Sequence, residues 1–355
     1  MTDDAATWLT YLGKSPQEPH FDKWLESRRI YERPHRPEDD EAYSEDEGKA
    51  LRNARASEIE EVERLSIALI YEKAGNYERL FGDIDDTGEF VLKQLVFYAK
   101  GVQGYAGFAT PLPFGIAFGQ DAQTTRSKLG PPTATRALHG LISDLWVRED
   151  FNVNVSYLDA GERCAIVHVR RAHLYDLRML GKLPYEHDAA AIDPDALALF
   201  LGESIYGLAL TVMLDSAGWS SDGSSLADCE EIPDLIKRRG LTLYLRNAGQ
   251  YKALRGQKFE RDGAVLAGFR FNRTGDMNSQ GHLGRLPLGI EFHHAPDQVI
   301  DCVGRPPDAQ TIGEDVGSYQ WRLAPYTLQV TFSLIDYQVY RVTCFARFMD
   351  DEIWS

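Results

Sequence analysis

One short phrase occurs twice in the sequence, and this repetition constrains the fold more than any other feature. Residues 112–118 read LPFGIAF and residues 286–292 read LPLGIEF, at an offset of 174. Proline and glycine at fixed places in a short phrase are typical of a defined turn, so the same local shape is predicted twice. Further positions match at offsets of 174 or 175: Gly75 with Gly249, Tyr77 with Tyr251, Phe97 with Phe271, Gly130 with Gly304, Pro132 with Pro306, Trp146 with Trp321, Val155 with Val330 and Tyr157 with Phe332.

The repeat extends towards the start of the chain. Residues 8–15, WLTYLGKS, resemble residues 197–204, LALFLGES, at an offset of 189. This unit is far longer than the repeats of solenoid proteins, and a chain of 355 residues is long enough to form two domains. We therefore predict two tandem copies of one module, over residues 1–178 and 190–355.

The boundary between the copies is expected in the turn-rich stretch LGKLPYEHDAAAIDPDA, residues 180–196. Within it, Asp193-Pro194-Asp195 predicts the start of a helix. Asp is a good N-cap, Pro is tolerated at the first helical position, and a carboxylate is favourable in the first turn.

Each copy is predicted to be an α+β module, a mostly antiparallel sheet with an N-terminal helix and one helix packed on the sheet. In the first copy, Asp121 is expected to cap a helix over 122–129, which Gly130 ends. The alternating stretch NVNVSY, residues 152–157, is typical of a strand with one solvated face. The predicted strands are 66–72, 91–98, 114–118, 144–147, 152–158 and 164–170. The positions expected to be buried are Ile116, Phe118, Trp146, Val155 and Tyr157, with their counterparts Ile290, Phe292, Trp321, Val330 and Phe332.

The charge balance excludes some classes of partner. Lys and Arg total 38 against 54 Asp and Glu, which gives a net charge of −16. Such a surface repels phosphate backbones and anionic lipid, so we expect neither nucleic-acid nor membrane binding, whereas a basic protein would be attracted. The four cysteines are scattered without a CxxC pair, and neither a secretory signal nor an apolar run of about 20 residues is visible. We expect a cytoplasmic protein that is a monomer or a small homo-oligomer.

No enzyme signature is found. Glu291, His293, His294 and Asp297 form the best metal-like cluster. On a strand, however, His293 and Glu291 would share one face and His294 would point away. The first copy has no ligand-type residues at the corresponding places. We therefore predict no catalytic residue, no metal and no cofactor. The alternative is a hydrolase or metal-dependent enzyme with a cleft between the copies. In that case Glu291, His293 and His294 are the first candidates for functional residues.

The copies differ most in an acidic region of the first. Between matched glycines the first copy has 62 positions and the second has 47, so the first carries 15 extra residues. The surplus lies around 37–63 and includes PEDDEAYSEDE, residues 37–47. Such runs are usually solvated loops, but they also steer cationic partners, and an aromatic residue among charges is typical of an interface anchor. The predicted partner-binding residues are Glu38, Asp39, Asp40, Glu41, Tyr43, Glu45, Asp46, Glu47, Glu58, Glu60, Glu61 and Glu63.

The pattern LPxGIxF…LGxPP…W…(V/L)xVx(Y/F) resembles large proteins of bacterial type VI secretion and polymorphic toxin systems. A duplicated scaffold without an enzyme signature, a strong acidic balance and one acidic insertion resemble the immunity proteins of those systems. The resemblance implies a protein that neutralises a cognate, basic toxin domain by binding it, in many cases by occluding its active site. No site residue carries over from the resemblance.

Overall fold

The computed structural model divides into two compact units, Met1–Leu183 and Pro184–Ser355. Each unit is an antiparallel sheet with short helices, so the predicted α+β fold with two similar modules is confirmed. The residues that the structure describes are 5–31, 33–34, 57–84, 88–138, 141–184, 187–188, 191–205, 207–216, 233–247, 264–276, 279–313, 316–324 and 326–346.

The first unit contains a seven-stranded sheet in the order β1-β2-β3-β7-β6-β5-β4. All neighbouring strands are antiparallel. The strands are β1 Ser57–Val62, β2 Ile67–Lys73, β3 Phe90–Tyr98, β4 Ala134–Leu138, β5 Leu141–Val147, β6 Phe151–Leu158 and β7 Arg163–Arg171. The helices are α1 Ala5–Leu9, α2 Pro19–Ser27, α3 Ala74–Phe81, α4 Ala122–Leu129 and α5 Leu174–Met179.

The second unit contains a six-stranded antiparallel sheet in the order β8-β9-β13-β12-β11-β10. This order matches β2-β3-β7-β6-β5-β4 of the first unit strand for strand. The strands are β8 Leu241–Asn247, β9 Ala264–Asn272, β10 Ala309–Ile312, β11 Val316–Arg322, β12 Tyr326–Ser333 and β13 Val339–Ala346. The helices are α6 Pro194–Ala198, α7 Leu208–Ser216, α8 Pro233–Arg239 and α9 Pro296–Val303.

The core of the first unit lies between its N-terminal helices and one face of the sheet. Trp8, Phe21 and Leu25 of α1 and α2 belong to the same buried cluster as alternate residues of the strands, such as Ile67 and Leu69. The predicted core positions are buried in both copies except Phe118, which is half-buried. The apolar periodicity of 2 along the strands therefore places the core correctly.

The repeated phrase forms a turn, and the prediction of a strand over 114–118 is wrong. Pro113–Gly115 is a single 3-10 turn in which Phe114 has φ 60° and ψ 19°. Leu288, at the same place in the second copy, has φ 59° and ψ 20°, and the glycine that follows has φ 72° in both copies. A strand requires negative φ, so two successive left-handed residues exclude it.

The helix after the phrase is held in the same way in both copies. Asp121 accepts a hydrogen bond from the Thr124 N–H at 2.6 Å, which confirms the predicted N-cap. The Trp146 Nε1–H donates to the carbonyl of Gly130 at 3.0 Å, just after α4. The Trp321 Nε1–H donates to the carbonyl of Arg305 at 3.0 Å, just after α9. One tryptophan therefore fixes the end of the helix against the sheet in each unit.

The N-terminal segments repeat as well. The N–H of Gly13 donates to Leu92 O at 2.8 Å, and the N–H of Gly202 donates to Leu266 O at 2.7 Å. Both glycines have φ near +90°, where a side chain is strained. Asp193 caps α6, as predicted, and its side chain accepts from the Asp195 N–H at 3.1 Å. In the described part of the chain, no helix combines the length and apolar character that crossing a membrane requires.

Candidate functional site

Only some of the predicted acidic residues lie in the described part of the chain. Glu38, Asp39, Asp40, Glu41, Tyr43, Glu45, Asp46 and Glu47 lie outside the described residues. Glu58, Glu60 and Glu61 lie on strand β1, and Glu63 begins the 3-10 turn Glu63–Leu65 that follows it. The structure therefore places four of the predicted acidic residues on one short, continuous segment.

Strand β1 occupies one end of the seven-stranded sheet and pairs with β2 alone among the described strands. In the register of this pair, Glu58 stands opposite Tyr71, Glu60 opposite Leu69 and Glu61 opposite Ala68. A strand at the end of a sheet presents a row of backbone N–H and C=O groups that can pair with another chain. Glutamates on such a strand disfavour pairing with an acidic chain and favour a cationic one.

The second copy has a different element at this place. At the offset of 174, the chain positions of β1 and its turn correspond to α8, Pro233–Arg239, which ends in three basic residues. Strand β1 therefore has no counterpart among the described strands of the second unit. The sequence pattern did not predict this strand, because glutamate is a poor strand former and hides the signal of Ile59 and Val62.

The histidine cluster of the second copy is not on a strand, so the expected division of its side chains between two faces is wrong. The Glu291 N–H donates to His294 Nδ1 at 3.2 Å. The sequence did not indicate two further members. The Cys302 thiol lies 3.6 Å from His294 Nδ1, and His187 Nε2 lies 3.3 Å from Glu291 Oε1. Within the described residues, no three His, Cys, Asp or Glu side chains form a group that could hold a metal ion.

The contact between Cys302 and His294 has a counterpart in the first copy, where a side chain of the helix also contacts the preceding turn. There Lys128 Nζ donates to Gln120 Oε1 at 2.8 Å and to the carbonyl of Gly115 at 2.7 Å. Cys302 makes the same two contacts, to His294 and, at 3.7 Å, to the carbonyl of Gly289. Burial raises the pKa of the Cys302 thiol and lowers that of His294. A thiol with a raised pKa is a poor nucleophile at neutral pH. We therefore interpret this pair as a structural contact that holds helix α9 against the turn Pro287–Gly289.

A pocket lies in the second unit beside the end of α8. It has about 380 Å³ of empty space, part of which is open to solvent. The residues that line it include Arg238, Arg239, Ile192, Leu241 and His282. Asp188 Oδ2 lies 3.9 Å from Arg239 Nη1. The lining of the pocket therefore includes both arginine and aliphatic residues.

His282 takes the place of an aromatic residue of the first copy. The N–H of Phe108 donates to the carbonyl of Tyr98, and the N–H of His282 donates to the carbonyl of Asn272, both at 3.0 Å. The Phe108 ring lies 4.8 Å from that of Phe97, and the His282 ring lies 4.2 Å from that of Phe271. The scaffold needs only a ring here, and the imidazole adds a hydrogen bond from Nε2 to the carbonyl of Arg285 at 3.2 Å.

Replacing His282 with Phe should reduce the loss of stability in acid. Burial lowers the pKa of His282 to about 4, below about 6.5 in an unfolded chain. Between these two pH values the unfolded state binds more protons than the folded state does. The free energy of unfolding therefore decreases as the pH falls from 6.5 towards 4. Between pH 7.5 and pH 4.5 the titration of this histidine should lower the free energy of unfolding by about 2 to 3 kcal/mol. Urea unfolding of the wild type and His282→Phe at both pH values measures the difference, and identical pH dependence in the two proteins would contradict it.

Comparisons with known proteins identify no family. No family model matches the sequence, and no curated protein matches it. Among solved structures, a DUF4309 family protein, YjgB from Bacillus subtilis subsp. subtilis strain 168, matches with a TM-score of 0.20 and 8% sequence identity. That match covers 33% of this chain and 65% of YjgB, which is under two thirds of its length. A similarity at this level carries no argument about fold or function.

Proposed function

We propose that the chain is a non-enzymatic, cytoplasmic binding protein of the immunity type, which neutralises a basic toxin domain by binding it. The observation that carries this proposal is strand β1, an acidic strand at the end of the first sheet. Among the described residues, the second unit forms the equivalent of the other six strands in the same order and has no strand at the place of β1. A segment that one copy has beyond the shared strands, and that concentrates charge, is a good candidate for recognition.

The charge of the segment indicates the class of partner. Residues 57–63 contain four glutamates and no basic residue, and the preceding run 37–47 carries seven more acidic residues. A surface of this sign attracts cationic proteins from a distance and raises their association rate, an effect that salt screens. An edge strand then allows a partner strand to add to the sheet through backbone hydrogen bonds.

Rescue of bacterial growth tests the proposed function. The products of the genes that flank this gene should be expressed one at a time, with and without the full chain. We expect one of them to be a basic protein that stops growth, and we expect co-expression of this chain to restore growth and to yield a stable complex. Growth inhibition that this chain does not relieve, or the absence of any inhibitory neighbour, would count against the immunity function.

Neutralising the acidic strand should weaken binding to that toxin. The variant E58Q/E60Q/E61Q/E63Q should slow association about tenfold at low salt and leave dissociation nearly unchanged, because long-range attraction between charges acts mainly on encounter. Stopped-flow fluorescence with the purified toxin measures both rates. The matched control neutralises four exposed glutamates elsewhere on the first unit, Glu26, Glu78, Glu149 and Glu162. Equal effects of the two variants on the association rate would indicate that the net charge of the protein, and not the position of the acidic strand, determines this rate.

Tyr43 and the run 37–47 provide a second test with the same toxin. If Tyr43 anchors the interface, Tyr43→Ala should raise the Kd by a factor that corresponds to about 2 kcal/mol. Deletion of 37–47 should leave the circular dichroism spectrum of the folded chain unchanged while it lowers the association rate. An unchanged rate and Kd after the deletion would remove this run from the proposed site.

A further inference from the structure

We infer that the outer side of helix α7, in the second unit, binds a cationic amphipathic segment of another protein. This surface, the α7 face, consists of Leu208, Val212 and Asp215, which follow one another at helical spacing and therefore lie on one side of the helix. The inference concerns the second unit alone and depends neither on strand β1 nor on the proposed toxin. It rests on the exposure of apolar residues, on a comparison of the two copies and on the sign of the local charge.

Helix α7 is apolar on its inner and on its outer side. Leu210 and Leu214 are buried, and each is 1% exposed. On the opposite side and one turn apart, Leu208 is 81% exposed and Val212 is 58% exposed. A helix at the surface of a soluble domain normally has polar residues on its outer side. Two neighbouring exposed aliphatic side chains on so short a helix indicate a surface that another chain covers.

The first copy shows that the fold does not require this apolar outer side. The offset of 189 that relates residues 8–15 to 197–204 also places α2 on α7 residue for residue. The two inner positions are apolar and buried in both helices: Phe21 and Leu25 in α2, Leu210 and Leu214 in α7. At the outer position of Val212, however, α2 has the exposed residue Lys23. The same helix is therefore charged on its outer side in one copy and apolar in the other.

The charge near the α7 face is of one sign. Residues 191–216, which include α6 and α7, contain four acidic residues and no Lys, Arg or His. Asp215 is exposed and lies in the last turn of α7, on the same side as Leu208 and Val212. The carbonyl end of a helix is itself partly negative, so this end of the face attracts cations.

These features fit one class of occupant. Aliphatic side chains of a partner would cover Leu208 and Val212, and a lysine or arginine one turn further along would pair with Asp215. A second copy of this chain would bring the same aspartate and a net charge of −16, which disfavours self-association. An anionic lipid surface is disfavoured for the same reason. A cationic amphipathic segment satisfies both the apolar and the acidic part of the face.

Fluorescence anisotropy with a synthetic peptide tests the inference on the full chain. The probe is a labelled, helix-forming peptide of leucine and lysine, with the leucines on one side. At about 150 mM NaCl, which screens general attraction to an acidic protein, we expect saturable binding with a Kd of about 10 to 100 µM. A peptide with glutamate in place of lysine, and one of scrambled order, should each bind at least tenfold more weakly. No saturable binding of the first peptide, or equal binding of the scrambled one, would overturn the inference.

Two matched double variants locate the site. Leu208→Ser with Val212→Lys should weaken peptide binding at least tenfold. The control Leu283→Ser with Val316→Lys makes the same two exchanges at other exposed residues of the second unit and should bind as the wild type does. Val212→Lys alone introduces the residue that α2 has at this place, so it should fold normally and weaken binding about fivefold. Equal loss of binding in the control, or wild-type binding by the α7 variants, would overturn the assignment.

Two further measurements distinguish the other occupants of the α7 face. Light scattering after gel filtration should give the same mass for the wild type and for Leu208→Ser with Val212→Lys. A wild-type dimer that this variant converts to a monomer would show that a second copy covers the face. In urea, the variant should unfold as the control does, and a larger loss of unfolding free energy would show that the chain itself covers the face. Either result would overturn the inference.

Discussion

Replacement of Trp321 by Ala should cost about 3 to 5 kcal/mol of unfolding free energy, and Trp146→Ala should cost about the same. Trp321 is fully buried and Trp146 is 3% exposed. Each indole fills the space between helix and sheet, and each Nε1–H donates to the carbonyl just after that helix. Truncation removes the apolar surface of the indole and leaves that carbonyl without its partner.

Urea unfolding of the two alanine variants and of Trp321→Phe measures these costs. The phenylalanine variant keeps most of the apolar contact and loses only the hydrogen bond, so it should cost about 1 to 2 kcal/mol. Similar costs in the two copies are expected because the tryptophans make the same contact. A cost below 1 kcal/mol for either alanine variant would contradict this interpretation of the repeat.

Replacement of Asp176 by Ala should also cost about 3 to 5 kcal/mol, because it leaves a buried guanidinium without its carboxylate. Asp176 is fully buried and Arg170 is 2% exposed. The carboxylate accepts from both terminal nitrogens of Arg170, from the His173 N–H at 3.0 Å and from Asn152 Nδ2 at 3.2 Å. This network fixes α5 against the end of strands β6 and β7.

The matched control is the exposed pair Lys182–Glu149, whose nitrogen and oxygen lie 2.8 Å apart. Glu149→Ala should cost between zero and about 1 kcal/mol, since both side chains are more than half exposed and water replaces the lost contact. Chemical denaturation of both variants at pH 7 gives the comparison. Equal costs for Asp176→Ala and Glu149→Ala would show that burial of the network does not determine its contribution.

The strands with a clear alternation could be predicted from the sequence, whereas the repeated phrase could not. Residues 152–158 alternate in polarity, and β6 covers them almost unchanged. The predicted solvated face is wrong, however, because Asn152, Asn154 and Ser156 are buried as well. In contrast, Phe114 and Leu288 have positive φ, which apolar side chains rarely adopt, so no residue type signals the turn. Strand β4, with the sequence ATRAL, was missed because it shows no apolar alternation.

The candidate sites were predictable only in part, for physical reasons that differ. The acidic residues of β1 stand out by charge, but charge does not reveal that they lie on the end strand of the described sheet. His282 could have been found by comparing the copies, because the offset of 174 places it at an aromatic position, Phe108. The pocket itself depends on α8, whose sequence PDLIKRR shows no feature that distinguishes a pocket wall from an ordinary basic helix end.

The rate of association with the proposed basic toxin is the most direct test of whether the acidic strand takes part in recognition. Stopped-flow association of the full chain should be measured at 20 and 200 mM NaCl for the wild type, E58Q/E60Q/E61Q/E63Q and the control variant in which Glu26, Glu78, Glu149 and Glu162 are neutralised. We expect the wild type and the control to associate much faster at low salt, and the β1 variant to lose most of this acceleration. The same salt dependence in all three proteins would contradict a role of the acidic strand in recognition.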